Sequence, residues 1–219
     1  MFIQNPMPDQ IDPVLVDELQ GVCVSTLGHL RDDGFAKGLI PNRRPVKFIG
    51  TAVTVRIPHL DSTAVHVATD LLRPGDVLVV DHSGDTERSA FGGLVSFTAK
   101  ARGAVGAVID GSINDYDETL EYDFPVYSRG FSPITTRILG IEGAINVPIA
   151  VCGVVVRPGD VVFADSDGVA FLQPHEAVGL GALLASKEEA EGPARDSIAA
   201  GGSIAEFSGA RAAFDAKRA

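Results

Sequence analysis

Apolar and polar positions repeat along this chain with two different periods, and the switches between them outline its elements. Asp12-Pro13 sets a capping carboxylate before a proline at a first helical position. Leu15, Leu19, Val22 and Leu27 follow at helical spacing, which predicts a helix that stops near Gly34. In 50-GTAVTVRIP-58 the period falls to two. Ala52, Thr54 and Arg56 take one face and Val53, Val55 and Ile57 the other, the pattern of a strand. Residues 61-DSTAVHVATDLL-72 return to a helical stripe, with Asp61 as cap.

Two segments nearly repeat each other, 73-RPGDVLVVD-81 and 157-RPGDVVFAD-165. Pro then Gly suits a type II turn, since Pro presets φ and Gly accepts φ > 0. The flanking sequences differ, so the repeat reads as two strands solving one entry problem rather than as a duplication. Between them an Ala-rich helical run from Gly92 leads into the apolar strand 104-AVGAVID-110, and 124-FPVYSRG-130 follows. Strand, helix and strand at this spacing predict a βαβ unit and a partly parallel sheet. An extended stretch, 147-VPIAVCGVVV-156, precedes the second repeat. From Ala185 the tail is charged and helical in propensity, broken at 201-GG-202. No linker interrupts the chain, which predicts one α/β domain over 1–219.

Composition narrows the function. The 219 residues carry a net charge of −11, with Trp absent and aromatics at 6%. A nucleic-acid binder needs a basic stripe or stacking platforms, and neither is present. No apolar run has the length of a membrane span, and the N-terminus lacks a secretory leader pattern, so the expected location is cytoplasmic. Cys23 and Cys152 sit in apolar contexts and are expected as buried thiols. The five histidines lack zinc spacing, although His82 in 81-DHSGD-85 follows a strand end. No nucleophile elbow, dinucleotide fingerprint or P-loop occurs.

The chemistry concentrates in 91-FGGLVSFTAKARGAVGAVIDGSINDYDE-118. A helix that begins after glycines offers free N–H groups and the positive end of its dipole, so Gly92, Gly93, Leu94 and Val95 form either a turn or an anion cradle. Asp110, Gly111 and Asp115 are expected at the carboxyl end of the next strand, on the edge where α/β sheets bind ligands. A single aspartate there suffices for Mg²⁺ if the substrate chelates.

The blocks 73–81, 92–115, 124–133 and 152–171, in this order, resemble the RraA-like family. That family includes the 4-hydroxy-4-methyl-2-oxoglutarate aldolases and the regulator of ribonuclease E activity A. The resemblance implies a swivelling β/β/α-type fold assembled as a homotrimer or a dimer of trimers. It also implies a 2-oxo acid substrate bound at the backbone of Gly92, Gly93, Leu94 and Val95, with Mg²⁺ or Mn²⁺ on Asp115. The family pattern ends in Arg-Asp, where this chain has Asn114-Asp115. An amide replaces a fixed, two-pronged cation, a loss of about 1.5–3 kcal/mol for a charge-assisted contact.

Arg129 on the next strand is a candidate substitute, and Glu188, Glu189 and Glu191 could add outer carboxylates from a neighbouring subunit. The expected activity is a metal-dependent lyase releasing pyruvate, by retro-aldol cleavage or oxaloacetate decarboxylation. A non-catalytic regulator that binds a ribonuclease or helicase is the alternative, as is a same-scaffold enzyme with another substrate. No sequence feature identifies the general base.

Overall fold

A computed structural model describes residues 1–218. The chain opens with β1 (Phe2–Gln4) and α1 (Pro13–Gln20), whose cap Asp12 accepts from the Val14 amide as expected. The predicted long helix ends early, however. Gly21 closes α1, Cys23 is extended, and a single turn, α2 (Val24–Leu27), follows. β2 (Ile40–Pro41) leads to β3 (Lys47–Arg56), which begins three residues before the predicted strand. β3 is buried on both faces save at its two ends, as a strand covered on both sides should be.

Next come α3 (Thr63–Leu71), β4 (Asp76–Asp81), α4 (Gly93–Ala101), β5 (Gly106–Ile113), α5 (Tyr116–Glu121) and β6 (Val126–Phe131). Strands β3, β4, β5 and β6 pair in parallel, which makes good the βαβ expectation. β7 (Gly143–Ile145) and the hairpin β8 (Ile149–Val151) and β9 (Val154–Val156) lead to β10 (Val161–Asp165) and β11 (Val169–Leu172). Nine strands share one sheet, in the order β1-β7-β3-β4-β5-β6-β2, with β10 paired to β3 and to β11.

The two Arg-Pro-Gly-Asp turns do solve one problem twice. Gly75 and Gly159 have φ of 86° and 90°, and Asp76 and Asp160 each accept from the amide of the arginine three residues earlier. Both turns then dock on β3, through Thr51 N–H to Gly75 C=O and Gly159 N–H to Ala52 C=O.

The sheet divides the core. Val53, Val55, Leu78, Val80 and Ile109 pack with α3 and α4 on one face. Ala52, Val77, Val79, Val108 and Tyr127 pack with the β8–β9 hairpin and with β10–β11 side chains on the other, giving β/β/α layers. A third cluster ties α1 and α2 to β10, β11 and the C-terminal helices α6 (Pro174–Ala177) and α7 (Leu180–Ala199). The tail breaks at Gly201-Gly202 as predicted, and the short α8 (Ile204–Phe207) and α9 (Ala210–Asp215) bury none of their residues. Among the described residues no helix is long and apolar enough to cross a membrane.

Candidate functional site

The glycine motif starts α4 as expected. Gly92 is its extended N-cap, and the amides of Gly93, Leu94 and Val95 precede the first residue that can bond within the helix, Ser96 to Gly92 C=O. The strand after it does not end at Asp110. β5 runs on to Ile113 through an irregularity between Ile109 and Ser112, and the chain then turns at Asp115, φ 53°. That left-handed conformation is uncommon outside glycine, and Asp is among the residues that tolerate it. Asp115 is the N-cap of α5, yet its side chain makes no bond to its own helix. Its Oδ2 instead accepts from the Gly93 amide at 2.8 Å, across 22 residues of sequence.

Asn114 is fixed beside it. Its amide donates to Phe91 C=O, and its Oδ1 accepts from the Ser89 hydroxyl. That leaves Nδ2 as a free donor facing Gly92. The crowding explains the glycine: a Cβ on Gly92 would lie 2.6 Å from Asp115 Oδ2 and 2.7 Å from Asn114 Oδ1. A Cβ on Gly93 would meet Glu118 Oε2, so that carboxylate also leans on the helix start.

A cavity of about 370 Å³ opens over these groups. It brings together Gly92, Gly93, Leu94, Val95, Asn114 and Asp115, the six residues at and beside the expected substrate cradle and metal position. Other parts of its lining were not anticipated: His66 from α3 and the loop residues Thr135, Thr136, Arg137 and Ile138. Asp61 holds that loop. It is wholly buried, and its carboxylate accepts from the amides of Leu139 (3.1 Å), Ile141 (2.6 Å) and Thr63 (3.0 Å). Burial would raise its pKa, but these bonds outweigh burial and hold the carboxyl well below the usual range. Asp61 thus precedes the α3 cap position, Ser62, and serves more than the helix it was expected to cap.

Several expected participants lie elsewhere. Asp110 points away from Asp115: its carboxylate bonds Arg129 Nε at 2.6 Å and the Cys152 amide at 2.6 Å, joining β5 and β6 to the β8–β9 hairpin. Arg129 is therefore engaged and does not lean toward Asn114. Glu188 accepts from the Cys23 amide and the Thr26 hydroxyl, and Glu191 pairs with Arg195, so both serve this chain's own helices, while Glu189 is exposed.

The thiols also differ from expectation, since Cys23 is exposed and Cys152 half-buried, both unpaired. Burial, with Asp110 beside it, pushes the Cys152 thiol up to about 12, which keeps it unreactive. His82 is buried in its turn, with Nε2 bonded to His59 C=O and Nδ1 without a partner against Gly111.

A larger cavity of about 490 Å³, beside Arg31 and Cys152, is lined by Gln173 and Glu176 at the start of the single-turn α6, where Glu176 already accepts from the Gln173 N–H, and its Arg31 is paired with Asp33 and Glu176. The chemistry of the sequence motif lies in the smaller one.

A β/β/α core with a Gly-Gly helix start facing an Asn-Asp turn defines a class, and the chain belongs to it: the RraA-like family model (Aldolase/RraA) matches residues 14–171. A Halalkalibacterium halodurans protein named "Putative 4-hydroxy-4-methyl-2-oxoglutarate aldolase" is 37% identical over 148 residues, 68% of this chain and 70% of that one. A protein of the same name from Ectopseudomonas mendocina is 35% identical over 122 residues, 56% of this chain and 74% of that one. Among solved structures, a Streptomyces coelicolor protein described as an unusual member of the RNase ES inhibitor RraA protein family superposes with TM-score 0.76 at 28% identity. That match covers 87% of this chain and 98% of the other. A Pseudomonas syringae protein superposes at 0.78 and 24% identity, over 92% and 96%, which shows the shared fold.

Proposed function

We propose that this chain is a divalent-metal-dependent lyase on a small 2-oxo acid. It would cleave substrates of the 4-hydroxy-4-methyl-2-oxoglutarate type by retro-aldol reaction, decarboxylate oxaloacetate, or do both, releasing pyruvate. The observation that carries the proposal is the contact of Asp115 with the Gly93 amide, which sets a carboxylate against a helix start within one cavity.

The residues fit Mg²⁺ or Mn²⁺ on Asp115. Among the described residues no group of three or more His, Cys, Asp or Glu side chains is gathered to hold a metal, so a closed cage is not what this site offers. One carboxylate with open positions suits an ion that keeps waters and takes further ligands from the substrate. When bound, such an ion supplies positive charge to the enolate oxygen that develops as the C–C bond breaks.

The chain's own groups do the rest. The Leu94 and Val95 amides and the α4 dipole face the 2-oxo acid's carboxylate, and Asn114 Nδ2 donates to an oxygen beside it. In the retro-aldol direction the hydroxyl proton leaves and the C–C electron pair passes to the enolate of pyruvate, which is protonated at carbon. In decarboxylation CO₂ leaves with the same enolate behind. His66, the one imidazole among the described residues lining the cavity, is the group proposed to move a proton. Assembly as a homotrimer or dimer of trimers belongs to the same proposal, supported by the exposed Leu94 and Ile138 of the cavity lining and the exposed Phe97 and Ile134 close to them in sequence.

The second reading, a non-catalytic regulator of a ribonuclease or helicase, draws on the likeness to the Streptomyces coelicolor protein. Pyruvate release from both substrates with Mg²⁺, Mn²⁺ or EDTA separates the two readings. Activity that EDTA abolishes supports the lyase. Silence with stoichiometric capture of a ribonuclease supports the regulator.

A further inference from the structure

The cavity contains one guanidinium, and nothing acidic holds it. Arg137 lines the same cavity as Gly92 and Asp115, and among the described residues no carboxylate lies within ion-pair distance of it. The nearby arginines are spent: Arg88 pairs with Asp85 and Arg129 with Asp110.

Arg137 is also tethered rather than loose. Its Nη1 donates to Thr135 C=O, Thr135 Oγ1 and Thr136 C=O, which leaves Nε and Nη2 as a free edge. Its backbone is fastened at both groups, by Arg137 N–H to Leu60 C=O and by Ser62 N–H to Arg137 C=O. On either side the loop is held by Ser89, through Ser89 N–H to Ile134 C=O and Thr136 N–H to Ser89 C=O, and by Asp61, through the Leu139 and Ile141 amides. Ser89 is the residue that also orients Asn114, so the guanidinium and the amide are set by one side chain and its backbone.

A planar cation presenting two parallel N–H donors is matched by a carboxylate. The same cavity holds the α4 start and Asp115, which suit a second anionic group. About 370 Å³ lies at the small end of ligand clefts, roughly 300–1,000 Å³. We propose that Arg137 is the specificity-determining residue of this cavity, its free edge binding the second carboxylate that both proposed substrates carry. This rests on the lyase reading for the substrates and assigns the residue that takes their second carboxylate.

The test is calorimetric titration of the Mg²⁺-loaded protein with 2-oxoglutarate, a dicarboxylate, and 2-oxobutyrate, a monocarboxylate, for wild type, Arg137→Gln and Arg137→Lys. The proposal expects Arg137→Gln to weaken 2-oxoglutarate at least tenfold, a change of about 1.4 kcal/mol. The 2-oxobutyrate affinity should stay within twofold, and Arg137→Lys should fall between. Steady-state kinetics should show a raised KM for oxaloacetate with kcat little changed, as for a group that holds substrate without joining the bond-breaking step. Equal weakening of both acids, or neither, in a wild type that still releases pyruvate overturns the Arg137 assignment alone. Wild type that binds neither acid and releases no pyruvate overturns the lyase reading and this proposal together.

Discussion

Asp115 Oδ2 accepts a hydrogen bond from the Gly93 amide at 2.8 Å while leaving its own helix without a side-chain cap. An N-cap aspartate ordinarily bonds the second or third amide of the helix it starts, worth about 1 kcal/mol. Here that bond is forgone and the residue sits at φ 53°, a conformation costing more than the ordinary one. Strain plus a diverted carboxylate is the signature expected where a side chain's position serves something other than stability.

Gly92 should be the least replaceable glycine of the motif. In Gly92→Ala the new Cβ meets Asp115 and Asn114, both held by hydrogen bonds to other elements, whereas in Gly93→Ala it meets the far end of the Glu118 side chain, which can swing away. Turnover should fall at least a hundredfold for Gly92→Ala and much less for Gly93→Ala, with circular dichroism unchanged in both. The reverse order in side-by-side kinetics would contradict this geometry.

Asp61 should matter to stability and to the site together. Removing its carboxylate in Asp61→Ala strands buried amides, at roughly 3 kcal/mol and a Tm lower by about 6–12 °C. Its depressed pKa means that the folded state gains from the ionised form above the unfolded carboxylate pKa, near 4, and loses that gain as pH falls below it. A denaturant series on Asp61→Ala should therefore show a shallower loss of stability in acid than wild type. Because the freed loop carries Arg137, KM should rise as well.

His82 predicts a second, milder pH dependence. Burial holds its pKa down, against the opposing bond to His59 C=O and the field of Asp85. The neutral ring donates through Nε2, so protonation would place a proton on Nδ1, which has no acceptor and abuts Gly111. The unfolded chain takes up that proton near pH 6.5 and the folded chain only lower. Stability thus falls as pH drops below about 6.5, by at most about 1.4 kcal/mol per unit. His82→Gln should flatten the melting temperature between pH 7 and 5.5; an unchanged slope would assign it to other groups.

Truncation after Ala200 removes α8 and α9, which bury nothing. The melting temperature should stay within about 2 °C, because the tail's packed residues, Leu184 and Ala194, lie in α7. Glu188→Ala, by contrast, should cost about 1–3 kcal/mol by freeing the Cys23 amide and the Thr26 hydroxyl, without changing turnover.

Much of this was legible in the sequence, and the failures have physical causes. The parallel sheet, both Arg-Pro-Gly-Asp turns, the Gly92 helix start and the Gly201 break follow from local signals, namely alternation, Pro-Gly chemistry and missing side chains. Local signals did not sort Asp110 from Asp115, which only the family resemblance did, because the irregularity after Ile109 carries β5 three residues beyond Asp110 and hands Asp110 to the hairpin. The helix expected up to Gly34 breaks at Gly21 because residues 23 and 24 are claimed by distant carboxylates, Glu188 and Asp165. Arg137 had no local signal at all. Its loop lacks periodicity and is held by Asp61, nearly eighty residues away in sequence. Glu118 was within reach, lying in the first turn of the helix that Asp115 precedes.

The most direct test of the central claim is pyruvate release from oxaloacetate as a function of Mg²⁺ concentration, for wild type and Asp115→Asn of matched fold. The account predicts saturable, EDTA-sensitive turnover in wild type and a loss of at least a hundredfold in Asp115→Asn that added Mg²⁺ does not restore. Equal turnover in the two proteins, or wild-type turnover indifferent to EDTA, would contradict it.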